Sequence, residues 1–590
     1  MTSFAVLFAL LLTTATWIAP VSALPSGFVE EIVAQDRAIS GTFAPNPREN
    51  GKPMLLLSSK DGKLTVLENP DESDESMVVL DLGETVGLCE NGERGLQSVA
   101  IHPEFNIEND NYWIYLFFTE FKNNCFEGNE FSNSSVGPAN IVARFRMDPA
   151  SLLVDVNTMQ EIWSSPPTLD KNHQGGALAF GSDGMLYATT GDSSDRDMAQ
   201  PLTNTFGSVI RINPEDGSIP SDNPFTAANG YESYECAKSG GYVPQSASED
   251  AVCGEVFAYG FRNPFRLTMN AAVTDKVEFT VQDVGANHWE EISNGGTAYA
   301  GRNYGWPMAE GVCKSGSLED CPVLDDPNIV EPFYYYMHRD RTQDTGTQGG
   351  CITAAAHVPE GIWPQKFKYL VMDFNFLAVY DIRKRASDEC RSCSPPVPGY
   401  MNVTFYESEW QSGEHVNSAR MTDMFFGPYK GTQALYIMKY GNSDTVVRIR
   451  YTGSVNIPPT AAFTVPKGPF AIGDTVQFST TSTDEDGEEL MHDWDFGDDS
   501  TSTNENPSHV FESPGQYRVT LVVTDENGQS QQTSKTIVVG EPPKANIVSP
   551  EEGTEFYVGE VLHLKGTATD ANGNEIPDAQ IEWEVRQHHA

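Results

Sequence analysis

The sequence predicts an all-β chain built from more than one module. Short apolar or alternating runs bounded by turn residues repeat from about residue 50 onward. Long helical periodicity is missing. Two proline-bearing segments, VNIPPT (455–460) and EPPKA (541–545), break the rhythm in the last quarter of the chain.

The elements follow in order. Before the first linker, the runs KDGKLTVLE (60–68), YWIYLFFTE (112–120), SDGMLYATTGD (182–192), KYLVMDFNFLAVYDI (368–382) and TQALYIMKY (432–440) have the length and the Tyr, Val, Ile and Phe content of strands. A strand–turn unit repeated over more than 400 residues suits a propeller or a large barrel. Between the linkers, residues 458–540 form a compact β module. The alternation of Trp494 and Phe496 suits the space between two sheets of a sandwich. Residues 545–590 open another module of the same kind but are too few for a complete sandwich, which takes about 100 residues.

At 590 residues the chain is too long for one core. Residues 2–20 are apolar and lead into Val21-Ser22-Ala23, the pattern of a signal peptide (1–23) cleaved after Ala23, so the protein is expected to be secreted. No later stretch is apolar and long enough to cross a bilayer. Sequons at Asn133 and Asn402 fit secretion, as do nine cysteines, for which close spacing suggests the pairs Cys236–Cys253, Cys313–Cys321 and Cys390–Cys393, with Cys89–Cys125 a looser match and Cys351 left over. With 37 basic against 83 acidic residues the formal charge is −46, which argues against nucleic acid or an anionic membrane as partner. The chain has no G-x-G-x-x-G behind a strand, no P-loop, no HExxH and no GxSxG.

Six segments, in one order, carry a resemblance: GERGLQSVAIHPEF (92–105), NHQGGALAFGSDGMLYATTGD (172–192), GSVIRINPEDGSIPSDNPF (207–225), EVFAYGFRNPFRL (255–267), DVGANHWEEI (283–292) and GRNYGWPMAEG (301–311). They resemble the glucose/sorbosone dehydrogenase family, soluble quinoproteins that hold pyrroloquinoline quinone (PQQ) in a six-bladed β-propeller. The resemblance covers roughly residues 28–452 and implies a propeller over 24–454. WDFGDDS (494–500) and PGQYRVTLVVTDENG (514–528) resemble a polycystic kidney disease (PKD) type domain, an immunoglobulin-like sandwich.

The resemblance implies an aldose dehydrogenase that oxidises a sugar at its anomeric carbon to a lactone, passing electrons to an unidentified acceptor. His173 stands where the family has its catalytic base, a role an imidazole of reference pKa about 6.5 suits. Arg262 and Asn263 match the pair that holds the cofactor, and Gly285 and Ala286 the backbone carbonyls that hold calcium beside it. Asp283, Glu290 and Glu291 are flanking acids, either second-layer groups of that site or a turn beside a strand. DEDG (484–487) is a further calcium candidate. GRNYGWP with Trp306, and His102, read first as structural. Departures from the family pattern are Glu93 in place of a glutamine, a single Arg420 with Thr422 in place of two arginines, and Asn375 near a family lysine. Glu93 and Arg420 are thereby candidate cofactor contacts of altered charge, and Arg94 is placed to compensate for Glu93. The contrasting expectation is a non-catalytic propeller that binds glycan or a protein partner.

Overall fold

The structure, a computed structural model, describes residues 24–49, 52–105, 110–121, 125, 137–314, 326–338, 350–364, 366–384, 400–407, 420–441, 444–453, 459–468, 470–484, 490–525, 530–540, 544–557, 560–569, 574–577 and 583. The expected leader (1–23), Asn133, Cys321, Cys390, Cys393 and residues 485–487 lie outside them. The chain is all-β, with only short helical turns, and divides into two compact units, Met1–Gly453 and Ser454–Ala590.

Among the described residues, the first unit holds six four-stranded antiparallel sheets. Five take their strands in chain order, beginning at Ala38–Pro45, Leu96–Ile101, Leu178–Phe180, Pro264–Met269 and Ile352–His357, and in the third and fourth of these a small two-stranded pair is inserted before the last strand. The sixth takes Arg420–Tyr429, Thr432–Tyr440 and Thr445–Tyr451 from the end of the unit, and its outer strand, Phe28–Ala34, from the beginning. The strands that begin the first five sheets, together with Arg420–Tyr429, touch one another in sequence order, and Arg420–Tyr429 touches Ala38–Pro45, so they form a closed ring.

Packing explains why these strands read as apolar runs rather than as alternations. Each sheet is covered on both faces by its neighbours. Thus Leu56, Leu64 and Val66 of the first sheet pack on Val99, Leu116 and Phe145 of the second. The second packs on the third through Phe117, Trp163 and Ile210. Val209 and Phe279 join third to fourth, Ile292 and Val371 fourth to fifth, and Leu370 and Ile437 fifth to sixth. Tyr436 and Leu55 close sixth onto first. At the seam, Glu31 accepts from both Arg448 and Arg450 at 2.8 Å.

Disulfides join Cys89 to Cys125 and Cys236 to Cys253, Cys313 is disulfide-bonded, and Cys351 is a free thiol. Glu255 lies against the second bridge, fully buried, with one oxygen accepting from the Ala237 amide and the other without a hydrogen bond among the described residues. Burial pushes its pKa up to about 7. A carboxyl whose pKa is raised on folding contributes stability that is present at low pH and is lost as pH rises through the folded value. Glu255→Gln is therefore expected to raise the thermal midpoint at pH 8 and to leave it nearly unchanged at pH 5. Equal shifts at both values in paired melts would contradict this.

In the second unit, Thr501–Ser502, Met491–Asp495, Gly515–Thr524 and Ser530–Val539 form a four-stranded sheet, with two small two-stranded sheets beside it in the chain. Trp494 and Phe496 are buried with Phe463, Phe478 and Leu521, as their alternation predicts. Farther on, Lys544–Ser549 pairs with Lys565–Thr569. Ile547, Phe556, Tyr557 and Val561 stay exposed there.

Candidate active site

The loops that lead into the ring strands converge on one end of the first unit. They bring Glu93, His173, Arg262 and Asn263 together with Gly285 and Ala286, from the turn after Glu278–Asp283, around a cavity of ≈ 310 Å³, with Asn172, His338, Cys351 and Asn375 also on its wall. Arg420 is outside this wall. It is exposed, with its guanidinium 4.8 Å from the ring of Phe374. The sequence-based expectation of a cofactor contact at Arg420 thus finds no counterpart in this cavity.

His173 is held in an unusual backbone conformation, φ 55°, which costs free energy for a residue with a Cβ and needs its surroundings to fix it. Those surroundings are close. A Cβ on Gly191 would come within 2.2 Å of the His173 carbonyl oxygen, so only glycine fits there. The imidazole Nδ1 lies 2.7 Å from Asp192 Oδ1. Asp192 is 1% exposed and takes two further hydrogen bonds, from the Ser194 amide and from the indole N–H of Trp306 at 2.8 Å. Asp192 therefore sets the ring plane and favours the tautomer whose Nδ1 carries the proton, leaving Nε2 as the basic nitrogen.

Trp306 does more than shape a loop. Besides binding Asp192, its ring lies 5.7 Å from the Arg262 guanidinium carbon and 5.3 Å from that of Arg196. Arg262 also donates to the Val284 carbonyl at 2.9 Å. Buried Asp283 accepts the backbone amides of Arg262 and Asn263 at 3.0 and 2.7 Å. Burial pushes the Asp283 carboxyl up to about 7, while those two amides and the Arg262 charge pull it back down. Asp283 is thus the support that fixes the Arg262–Asn263 pair, with backbone donors as its partners.

Glu93 braces three of the converging loops. Its oxygens accept from the Asn263 side-chain amide at 3.2 and 3.1 Å and from the Gln174 amide at 3.1 Å, and the Asn263 side-chain oxygen accepts from the Gly175 amide at 3.1 Å. Arg94 is turned away: it is 1% exposed, with Nη2 on the Thr168 hydroxyl at 2.8 Å and the Asp170 carbonyl at 2.9 Å. The expectation that Arg94 offsets the Glu93 charge is therefore corrected, because its guanidinium serves a buried loop instead.

The Gly285–Ala286 segment rests on acids the motif reading left unassigned or open. One oxygen of buried Glu310 accepts the amides of Ala286, Asn287, His288 and Trp289, at 2.8–3.2 Å. Buried Glu290 takes the amides of Gly285 and Ile352, and its other oxygen lies 2.5 Å from His338 Nδ1. Glu291 accepts the Gly311 amide, and burial, reinforced by Asp283, holds its carboxyl well above the usual range. Among the described residues no three metal-ligating side chains converge at Gly285 and Ala286; the one such trio, Cys236, Cys253 and Glu255, has both sulfurs in a disulfide. His102 lies outside the cavity, 2.9 Å from the Asn111 amide and 5.6 Å from the Phe180 ring, as a structural residue would.

Comparison with known proteins gives this geometry a context. Residues 49–235 match the Glucose / Sorbosone dehydrogenase family, and residues 456–539 match the PKD domain. HIPL2 protein of Arabidopsis thaliana is 24% identical over 332 residues, 50% of this chain and 46% of its own length. Quinoprotein glucose dehydrogenase B of Acinetobacter calcoaceticus is 27% identical over 362 residues, 55% of this chain and 63% of its own length. The chain thus spans about half to three-fifths of these curated relatives. The apo-form crystal structure of the soluble aldose sugar dehydrogenase from Escherichia coli superposes with TM-score 0.49 at 19% identity, covering 72% of this chain and 99% of that one.

Proposed function

Taking as premise a chain that joins a glucose/sorbosone dehydrogenase domain to a PKD domain, we propose that it is a secreted, PQQ-dependent aldose dehydrogenase. The reading takes the six sheets as six propeller blades within 24–454, followed by a PKD-type sandwich at 458–540 and a partial one at 545–590. The observation that carries the activity is the His173–Asp192–Trp306 chain beside Arg262. It puts an oriented base and a fixed cation at one cavity.

The cavity fits the cofactor in size, since small-molecule sites begin at about 300 Å³. It also offers Arg262 to anionic or quinone oxygens and Asn375 as an amide partner. A bound quinone supplies the two-electron acceptor that this chain's side chains cannot. The sugar's anomeric carbon gives up a hydride, its hydroxyl proton goes to His173, and the product is the lactone. The imidazolium so formed is stabilised by Asp192, as in other base–carboxylate pairs. Arg262 would stabilise negative charge on such an acceptor. A calcium ion here would be held by the Gly285 and Ala286 carbonyls, because the nearby acids already accept backbone amides.

Glu93 is the member of the wall that opposes a tricarboxylate. Glu93→Gln is expected to tighten PQQ by up to about tenfold, since a charged group costs more than a neutral one beside an anion. It should also lower the thermal midpoint slightly, because one brace oxygen is lost. Arg262→Ala is expected to weaken PQQ and slow dye reduction together. The test is titration of the full chain with PQQ and calcium, followed by dye reduction with a panel of aldoses. No quinone binding at micromolar concentration and no turnover would replace this reading with a glycan- or partner-binding propeller.

Secretion rests on the leader at 1–23 and on the PKD domain. Asn402 is exposed on its strand and open to glycosylation, and no helix of the described residues is long and apolar enough to cross a membrane. Intact-mass analysis of protein from the culture medium should show Leu24 as the first residue and added sugar.

A further inference from the structure

A second cavity, of ≈ 490 Å³, opens on the same end of the first unit, its wall including Arg37, Lys60, Asn91 and Tyr440. Arg37 immediately precedes the ring strand Ala38–Pro45, and Lys60 follows Ser59, the residue paired with Ala38, so both stand where the loops of the first site stand. Segment 88–95 separates the two cavities. Glu93 lines the first, Leu88, Glu90 and Asn91 line the second, and the Cys89–Cys125 bridge pins the segment between.

The charges in this second cavity are unequal in their commitments. Lys60 is partly buried, and its ammonium makes no hydrogen bond or close ion pair among the described residues, while Glu90 and Glu93 attract it from farther away. Arg37 donates to the Tyr440 hydroxyl at 3.2 Å and lies 3.9 Å from Asp444, its one ion pair among the described residues. Of the acids on the wall, Asp61 is taken up by Ser59 and by Lys63 at 3.0 Å, while Glu90 is exposed. In a chain with 83 acidic and 37 basic residues, a half-buried ammonium without a salt bridge, facing a cavity beside a guanidinium, is a site left open for an anion.

We propose that this cavity is a subsite for the carboxylate or sulfate of an acidic saccharide whose reducing-end unit occupies the His173 cavity. The proposal rests on reading that cavity as a sugar site. Oxidation at an anomeric carbon requires a reducing end at His173, so the remaining units must leave along the rim. Segment 88–95 offers a path that ends at Lys60 and Arg37. The Lys60 ammonium provides three N–H donors, and the Arg37 fork and the Asn91 amide stand near it to orient a planar or tetrahedral anion. The −46 net charge repels such a ligand at long range, so recognition is local.

The test is calorimetry on the full chain with oligosaccharides of equal length that are neutral, uronate-bearing or sulfated, with inorganic sulfate as a fourth ligand. An acidic oligosaccharide is expected to bind about tenfold or more tighter than the neutral one, the worth of one charge-assisted contact. Lys60→Met and Arg37→Met should each erase most of that difference, Lys60→Arg should keep it, and Glu90→Gln should enlarge it. Stopped-flow association should speed up between 0.01 and 0.15 M salt, as the long-range repulsion is screened. Equal affinity for neutral and acidic oligosaccharides, or a difference that survives Lys60→Met, overturns the proposal. So does inorganic sulfate binding as tightly as the sulfated oligosaccharide, which reduces the cavity to a bare anion site. Dye reduction with neutral sugars reports separately on the His173 cavity: its failure alongside Lys60-dependent acidic-sugar binding would reject the dehydrogenase reading while leaving an acidic-glycan site.

Discussion

His173→Gln is expected to cut sugar oxidation by about 10²–10⁴-fold, the usual worth of a positioned general base, while PQQ still binds. Glutamine is close in size and carries the same φ penalty as histidine at this position, so the loop between Asn172 and Gly175 should keep its path. The proton acceptor is what disappears. Asp192→Asn should act in the same direction through the imidazole, because an amide at Oδ1 or Oδ2 must abandon one of the His173, Ser194 or Trp306 donors. Single-turnover reduction of the holoprotein, compared with a cofactor titration on the same variants, separates the two quantities. Equal loss of binding and rate in His173→Gln would move His173 from base to cofactor ligand.

Glu310→Ala is expected to be the most damaging single change to the site's architecture. It strips four consecutive amides, those of Ala286 to Trp289, of their common acceptor in a partly buried turn. A buried donor left without an acceptor costs ~1–3 kcal/mol, and four that share one carboxylate will not sum simply, so a loss of ~3 kcal/mol or more is the expected scale. Thermal melts measure that loss. Calcium titration on the same variant asks whether the Gly285–Ala286 carbonyls have lost their arrangement. Glu310→Gln keeps one acceptor oxygen and should fall between the two. A Glu310→Ala protein with an unchanged melting profile would mean that the segment finds other partners.

The strands were legible because sheets covered on both faces demand unbroken apolar runs, and PMLLLSS or YWIYLFFTE offer little else to bury. His173, Arg262, Asn263, Glu93, Gly285 and Ala286 were legible for a different reason. Glu93, His173, Arg262 and Asn263 sit in short motifs just before a ring strand, and Gly285 and Ala286 in the turn after Glu278–Asp283, the strand paired with ring strand Pro264–Met269. What escaped were the supports. Asp192 lies at the end of TTGD, 19 residues from the histidine it holds, and Trp306 is 114 residues from Asp192. Glu310 meets its amides across 21 to 24 residues. No periodicity joins such partners, since strand pairing and loop packing make them neighbours. The direction of Arg94 escaped as well, because charge in a sequence carries no direction and the structure turns its guanidinium into a buried loop, while Arg420 lies over Phe374.

The pairing of Phe28–Ala34 with Thr445–Tyr451 also sets a schedule for biogenesis. The first strand to leave the ribosome waits for the last, more than 400 residues later, before its edge is covered. Until then the nascent unit is an open arc with an unpaired strand at each end, the state most exposed to misassembly with another copy. Glu31 with Arg448 and Arg450 acts as a late clasp whose formation marks release from that hazard. Because the ends meet in one sheet, a permuted gene that begins between two other sheets and joins the old termini would keep every sheet intact while changing the order in which the arc grows.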